Sequence, residues 1–234
     1  MRRFLVSGIL TIGLAHLAFG ALGYELEITD GTNSIIVSAS GLTTMGSVVP
    51  ISFSNNTATG VFSYDGGVGN YVVNVSTGEG SPLLSLGSLD LNSVDTSGVT
   101  SGPLKIWWSE NGITATNTGW LMMWGGTLST GAGGNVSDTA YEDNTNAFFG
   151  MQNTINTIGP QGPGVVGGTA GGGVSVTLVP HSLSELITLN GVGATNYSGN
   201  ASLTPVPEPA TVVLFGGVVL AIATAIKRKV VKKV

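Results

Sequence analysis

The chain contains no cysteine. Disulfides, thiolate metal sites and cysteine nucleophiles are therefore excluded together. Charge is scarce as well, at 9% of 234 residues. Basic residues are the scarcest where they would matter most. Arg2 and Arg3 open the chain, and Lys227, Arg228, Lys229, Lys232 and Lys233 close it, so Lys105 is the one cation between them. All 13 acids lie in that long interior. Nucleic-acid binding needs cations against phosphates, and this interior has almost none, so that class is excluded. Histidine is limited to His16 and His181. His16 sits inside an apolar run, so a metal centre built on histidines is excluded by count. No Gly-Lys-Ser/Thr loop and no G-x-S-x-G elbow occurs, so phosphate-loop and serine-hydrolase signatures are missing. No cofactor is expected. His181, between Pro180 and Ser182, reads as a structural residue at a turn entering a strand.

What is present is apolar content and glycine. The chain is 42% hydrophobic and has 37 glycines. A core is therefore within reach, unlike in disordered chains of low hydrophobicity. The length suits one domain plus targeting segments. Two arginines, an apolar stretch and the small residues Ala21-Leu22-Gly23 read as a secretory signal peptide over 1–23. The secretory translocon and signal peptidase are the partners this implies. Segment 24–204 reads as one secreted ectodomain.

The C-terminal segment 205–234 has three parts in order. Pro207-Glu208-Pro209 comes first. An uncharged apolar run, about 210–226, follows; 16 of its residues as a helix would span roughly 24 Å at ~1.5 Å per residue, somewhat short of a hydrocarbon core of ~30 Å. Pro209 suits the first turn of such a helix, because its missing N–H is not needed there. Lys227, Arg228, Lys229, Lys232 and Lys233 then form a stop-transfer cluster that the positive-inside tendency keeps on the cytoplasmic side. The ectodomain would thus lie outside the inner membrane.

Tripeptide, helix and cations together resemble the PEP-CTERM sorting signal of Gram-negative bacteria. The resemblance implies recognition at Pro207, Glu208 and Pro209 by an exosortase, a membrane-embedded transpeptidase-like protease. It also implies an association with exopolysaccharide production, and hence a location in the envelope, at the cell surface or in the extracellular matrix after processing. A second resemblance covers about 25–203. LDLNSVDTSG (89–98), LKIWWSENGIT (104–114), AFFGMQNTINTIGP (147–160) and PHSLSELITLNGVG (180–193) stand in an order similar to an ectodomain common among PEP-CTERM proteins of unassigned function. That similarity implies a β-sandwich-like fold and no known reaction.

The ectodomain itself reads as β. Short runs recur between turn-forming clusters: SIIVSAS (34–40), VVPISFS (48–54), GVFSY (60–64), YVVNVS (71–76), LKIWWS (104–109), GWLMMW (119–124), GVSVTLV (173–179) and ELITLN (185–190). Tyr71, Val73 and Val75 alternate with Val72, Asn74 and Ser76, the period of a strand with one buried face. Turns are expected at Asp65-Gly66-Gly67, Asn111-Gly112 and Asn190-Gly191. The sum is an all-β, antiparallel β-sandwich-like ectodomain. Residues 159–173 read as a flexible loop or a glycine-rich edge.

Three kinds of site are conceivable. Trp107 and Trp108, adjacent in a strand, point to opposite faces, so one of them is a candidate glycan contact. Trp120 and Trp124 share a face with Met122 and read as core. A glycoside hydrolase would need two converging carboxylates, from Asp65, Glu79, Asp90, Asp95, Glu110, Asp138, Glu142, Asp143 and Glu185. Asp138, Glu142 and Asp143 lie in the stretch densest in oxygen donors, a weak calcium candidate against the default of an acidic loop. The overall expectation is a non-enzymatic structural or interaction protein beside exopolysaccharide, with a carbohydrate-binding module as the alternative and a secreted hydrolase third.

Overall fold

The computed structural model describes residues 22–80, 87–99, 102–115, 119–174, 176 and 179–206. Residues 1–21 and 207–234 lie outside them. With them go most of the expected signal peptide, the tripeptide Pro207-Glu208-Pro209, the apolar run and the basic cluster.

The described chain is all β, in two antiparallel seven-stranded sheets. The first holds β1 (Gly23–Thr29), β2 (Ser34–Ser38), β3 (Gly41–Met45), β8 (Gly102–Ile113), β10 (Asn135–Asp143), β11 (Asn153–Gln161) and β13 (His181–Gly191). Their order is β11-β10-β13-β8-β1-β2-β3. The second holds β4 (Val48–Asn56), β5 (Val61–Val68), β6 (Tyr71–Glu79), β7 (Leu89–Gly98), β9 (Gly119–Ser129), β12 (Gly164–Gly173) and β14 (Thr195–Pro205), ordered β12-β9-β14-β7-β6-β5-β4.

The core lies between the sheets, as alternation requires. In β6 Tyr71, Val73 and Val75 are buried while Val72 and Ser76 are exposed. In β1 Tyr24, Leu26 and Ile28 point inward. Trp108 closes the core near one end. Its ring stacks on Tyr24 with centroids 6.1 Å apart and meets Phe62 at 5.3 Å, and its Nε1–H donates to the Glu79 carbonyl at 2.8 Å.

Several expected turns are strand interior. Asp65-Gly66-Gly67 lies inside β5, opposite a register shift between Pro50 and Ser52 of β4. Gly66 has φ +156°, and a Cβ there would meet the Val49 carbonyl, so the glycine serves a bulge and not a hairpin. The chain reverses instead at Gly69-Asn70. Asn111-Gly112 likewise stays within β8, next to a shift in its pairing with β13. Asn190-Gly191 does end β13.

Residues 164–173 are the edge strand β12, paired along its length with β9. Of the described residues in 173–179, Gly173 ends β12, and Val174 and Val176 pack against the core outside any strand. The stretch read as an acidic loop is mostly β10, an inner strand between β11 and β13.

Both ends of the described chain leave from one end of the sandwich. Gly23 pairs with Asn111 near the end of β8. Residues 114–118 join β8 to β9, and the Val206 N–H donates to the Gly119 carbonyl at the start of β9, at 2.9 Å. β14, the last strand, lies between β7 and β9 near the middle of its sheet. Its final residue, Pro205, is opposite Trp120.

Candidate functional site

The two tryptophans proposed for glycan contact are both buried. Trp108 is 0% exposed in the core. Trp107 points to the outer face of its sheet and is still only 6% exposed. The cover is residues 144–152, folded back over β8 and β13. Phe149 and Tyr141 lie 6.0 and 5.8 Å from the Trp107 ring. The loop is pinned at four points. The Gly112 N–H donates to Asn146 Oδ1 at 2.7 Å, the Phe149 N–H to Ser109 Oγ at 3.2 Å, Ser182 Oγ to the Ala147 carbonyl at 2.6 Å, and the Thr145 N–H to Asp143 Oδ1 at 2.7 Å. Gly150 lets the loop turn, since a Cβ there would overlap the Asp143 carboxylate. Neither ring face is free for a sugar, which corrects that expectation.

The calcium candidates do not converge. Asp138 and Glu142 are four residues apart on the inner face of β10, and Asp143 caps the loop. Glu142 accepts from Asn153 Nδ2 at 2.7 Å. Among the described residues, no group of three or more His, Asp or Glu is placed to hold a metal ion.

Two pairs of candidate carboxylates come together: Glu79 and Asp90, opposite each other on β6 and β7, and Asp138 and Glu185. Register sets Asp138 opposite Ile187 and Ala140 opposite Glu185, so the acids are diagonal neighbours on the inner face. Both are fully buried. Burial pushes both carboxyls well above the usual carboxylate range, and the charge on Asp138 raises Glu185 further, while a hydrogen bond from Glu185 partly offsets the rise on Asp138. Two ionised carboxylates have no donor between them. A proton held on Glu185 supplies one, and Asp138 accepts it. Tyr197 faces the pair from the other sheet and accepts from Trp124 Nε1–H at 2.8 Å. The pair lies in the core rather than in a cleft. His181 is also buried, and burial lowers its pKa to about 4, so it is neutral at neutral pH.

The outer face of the second sheet is different. Register places Thr127, Ser198, Asp95, Asn74, Asp65 and Ser52 side by side across β9, β14, β7, β6, β5 and β4. At about 4.8 Å per strand, this polar row spans roughly 24 Å. A parallel row runs Ser129, Asn196, Ser97, Val72, Gly67 and Val49. Two hollows, of about 610 and 680 Å³, lie over the second row and over Thr127, Ser198, Asp95 and Asn74 of the first, with Asp65 and Ser52 beside them. They share Val72, Ser97 and Asn196, so they form one trough. A third hollow, about 460 Å³, lies toward the end where the termini leave, beside Asp90, Ser202 and Met123. Asp90 there accepts from Asn92 Nδ2 at 2.9 Å, and partial burial raises its pKa. Small side chains make the hollows. Gly125 has open space where a Cβ would stand. The sequence singled out none of these residues as a glycan contact; Asp65, Asp90 and Asp95 appeared only among the candidate carboxylates.

No curated protein matches the chain. A solved structure of a carbohydrate-binding module, TmCBM61 in complex with beta-1,4-galactotriose, is similar with a TM-score of 0.35 and 7% identity, over 59% of this chain and 90% of that one. Residues 205–229 match the PEP-CTERM protein-sorting motif. The motif begins at the last residue of β14, and its kind marks a secreted protein that is membrane-anchored until an exosortase processes it. The chain thus carries a PEP-CTERM sorting signal in its C-terminal segment.

Proposed function

We propose that this is a non-enzymatic protein of the envelope or extracellular matrix, released from its membrane tail by an exosortase and working beside exopolysaccharide. The secretory translocon exports it and signal peptidase removes 1–23. The apolar run 210–226 and its five cations hold it in the inner membrane, and the exosortase engages Pro207, Glu208 and Pro209.

The observation that carries this reading is the sorting motif over 205–229. The fold agrees with it. With Gly23 and Val206 at one end of the sandwich, both membrane segments of the precursor can lie in one bilayer beneath a folded ectodomain. Non-enzymatic work is supported by where the acids stand. Asp138 and Glu185 are sealed in the core, where no glycosidic bond can reach them.

The test is intact mass and terminal-peptide mapping of protein from envelope and medium, with and without the exosortase. The expected mature form begins near Tyr24 and ends near the tripeptide, and only when the exosortase is present. A chain that keeps Lys227 to Val234 in both backgrounds is a plain membrane anchor and ends the sorting reading. The trough favours a second reading, carbohydrate binding.

A further inference from the structure

We infer that the outer trough of the second sheet binds a neutral polysaccharide chain laid across strands β9, β14, β7, β6 and β5. This deepens the carbohydrate-binding reading and rests on it, but it does not depend on how the tail is processed.

The floor carries the argument. Thr127, Ser198, Asp95, Asn74 and Asp65 are consecutive cross-strand neighbours, one from each of five strands. Their side chains are short and offer hydroxyl, amide and carboxylate groups at intervals of about 4.8 Å. Polymer hydroxyls both donate and accept, and this alternation meets both needs. Val72 and Val165, both exposed, give apolar patches for the C–H faces of sugar rings. The two joined hollows continue from Val165 of β12 to Val49 and Ile51 of β4, so the trough is open along its length and suits a chain better than a compact ligand.

Charge selects against other polymers. The only cation among the described residues is Lys105, on the other sheet. An anionic polysaccharide would meet Asp95 and Asp65 with no counter-charge. A folded protein partner is disfavoured on different grounds. Protein interfaces concentrate energy in Trp, Tyr and Arg anchors, and neither row contains one. A basic peptide would be held by the two aspartates alone, and such binding is lost in salt.

The test is affinity electrophoresis of the full chain in mild detergent. The native gels contain laminarin, galactan, galactomannan, dextran, xylan or the producing strain's own exopolysaccharide, with alginate as the anionic control. At least one neutral polymer is expected to retard the wild type, equally in low salt and in 0.5 M salt (about 4 Å of screening length against about 10 Å at 0.1 M). Asp95→Ala and Asn74→Ala should each weaken retardation about tenfold, roughly one good hydrogen bond to a charged or amide group. Thr188→Ala, on the first sheet, should leave it unchanged. A shape-preserving Asp95→Asn, with an unchanged melting temperature, guards against misfolding. The inference is overturned if no neutral polymer retards the chain, if alginate alone does, if salt abolishes the effect, or if the trough variants bind like wild type. A chain that is processed normally and yet binds no neutral polymer overturns this inference and leaves the sorting reading standing.

Discussion

The two outer faces of this sandwich are built on the same strand geometry and end differently. On the first sheet, β8 and β13 carry Trp107, Ser109, Ser182, Ser184 and Leu186 outward, and all five are buried because residues 144–152 fold over them. On the second, β14, β7 and β6 carry Ser198, Asp95 and Val72 outward, and all three are exposed. The covered face has large rings and internal hydrogen bonds. The open face has short polar groups directed at solvent. A face that spends its side chains on its own loop adds to stability. A face that leaves them free adds little to stability and remains available to a ligand.

The first way to break that comparison is Trp107→Ala. The ring is buried between Tyr141 and Phe149. Removing a buried tryptophan typically costs about 3–5 kcal/mol. Urea unfolding should register a loss of that order. A loss under 1 kcal/mol would mean that the loop is only resting on the sheet, and the first face would then be no more structural than the second.

Next is the acid pair beneath both faces. Asp138 and Glu185 have carboxyl pKa values raised by burial. The proton they hold therefore stabilises the fold at pH values below the unfolded carboxyl values, 3.8 and 4.5, and that contribution is lost as pH rises through the folded values. His181 runs the other way. Its pKa falls from 6.5 to about 4, so stability is lost as pH drops through that window. Above about pH 7.5 His181 is neutral in both states and no longer contributes. The melting temperature should fall there, and Glu185→Gln should flatten the fall, because an amide N–H can donate to Asp138 without a bound proton. At pH 8 the variant should be the more stable by about 2 kcal/mol, the worth of a hydrogen bond to a charged group. A variant with the wild-type slope would show that the pair is not what titrates.

These two effects also mark what could be read in the sequence. The alternation of Tyr71, Val73 and Val75 announced β6, and the sandwich followed from such runs. β10 was hidden because its inner face is Val136, Asp138, Ala140 and Glu142, where two acids occupy core positions and erase the period. β12 was half hidden because glycines have no side chain to alternate. Asn111-Gly112 had the composition of a turn, and bulge pairing absorbed it. The burial of Trp107 depends on a loop some forty residues later, so no local pattern could report it. The trough was less legible still. Asp65, Asn74, Asp95, Thr127 and Ser198 come from five separate strands, and each reads alone as an ordinary solvent-facing residue. Only the register assembles them.

A smaller effect tests how the cover is held. Asn146 has φ 61° and accepts the Gly112 N–H at 2.7 Å. Asn146→Ala removes that acceptor and leaves alanine in a left-handed conformation that asparagine tolerates better. The expected cost is about 1.5 kcal/mol. Trp107 fluorescence should shift to the red if the loop loosens, since water would then reach the ring. A cost without a shift would place the damage at Gly112 alone, with the cover intact.

The smallest effect belongs to the open face, and there smallness is the point. Ser198→Ala, Asn74→Ala and Thr127→Ala each remove a polar group directed at solvent, so each should change unfolding stability by less than about 0.5 kcal/mol. The triple variant should stay near the sum of three such values, since no one of them supports another. Asn74 is the sharpest of the three, because it accepts from Ser76 Oγ at 2.8 Å on the same strand. That contact is exposed and local, so water can replace it at little cost. If the triple variant instead loses more than 2 kcal/mol, the row is a hydrogen-bonded network that holds β9, β14 and β6 together. The open face would then be as structural as the covered one, and its polar groups would not be free to meet a polysaccharide.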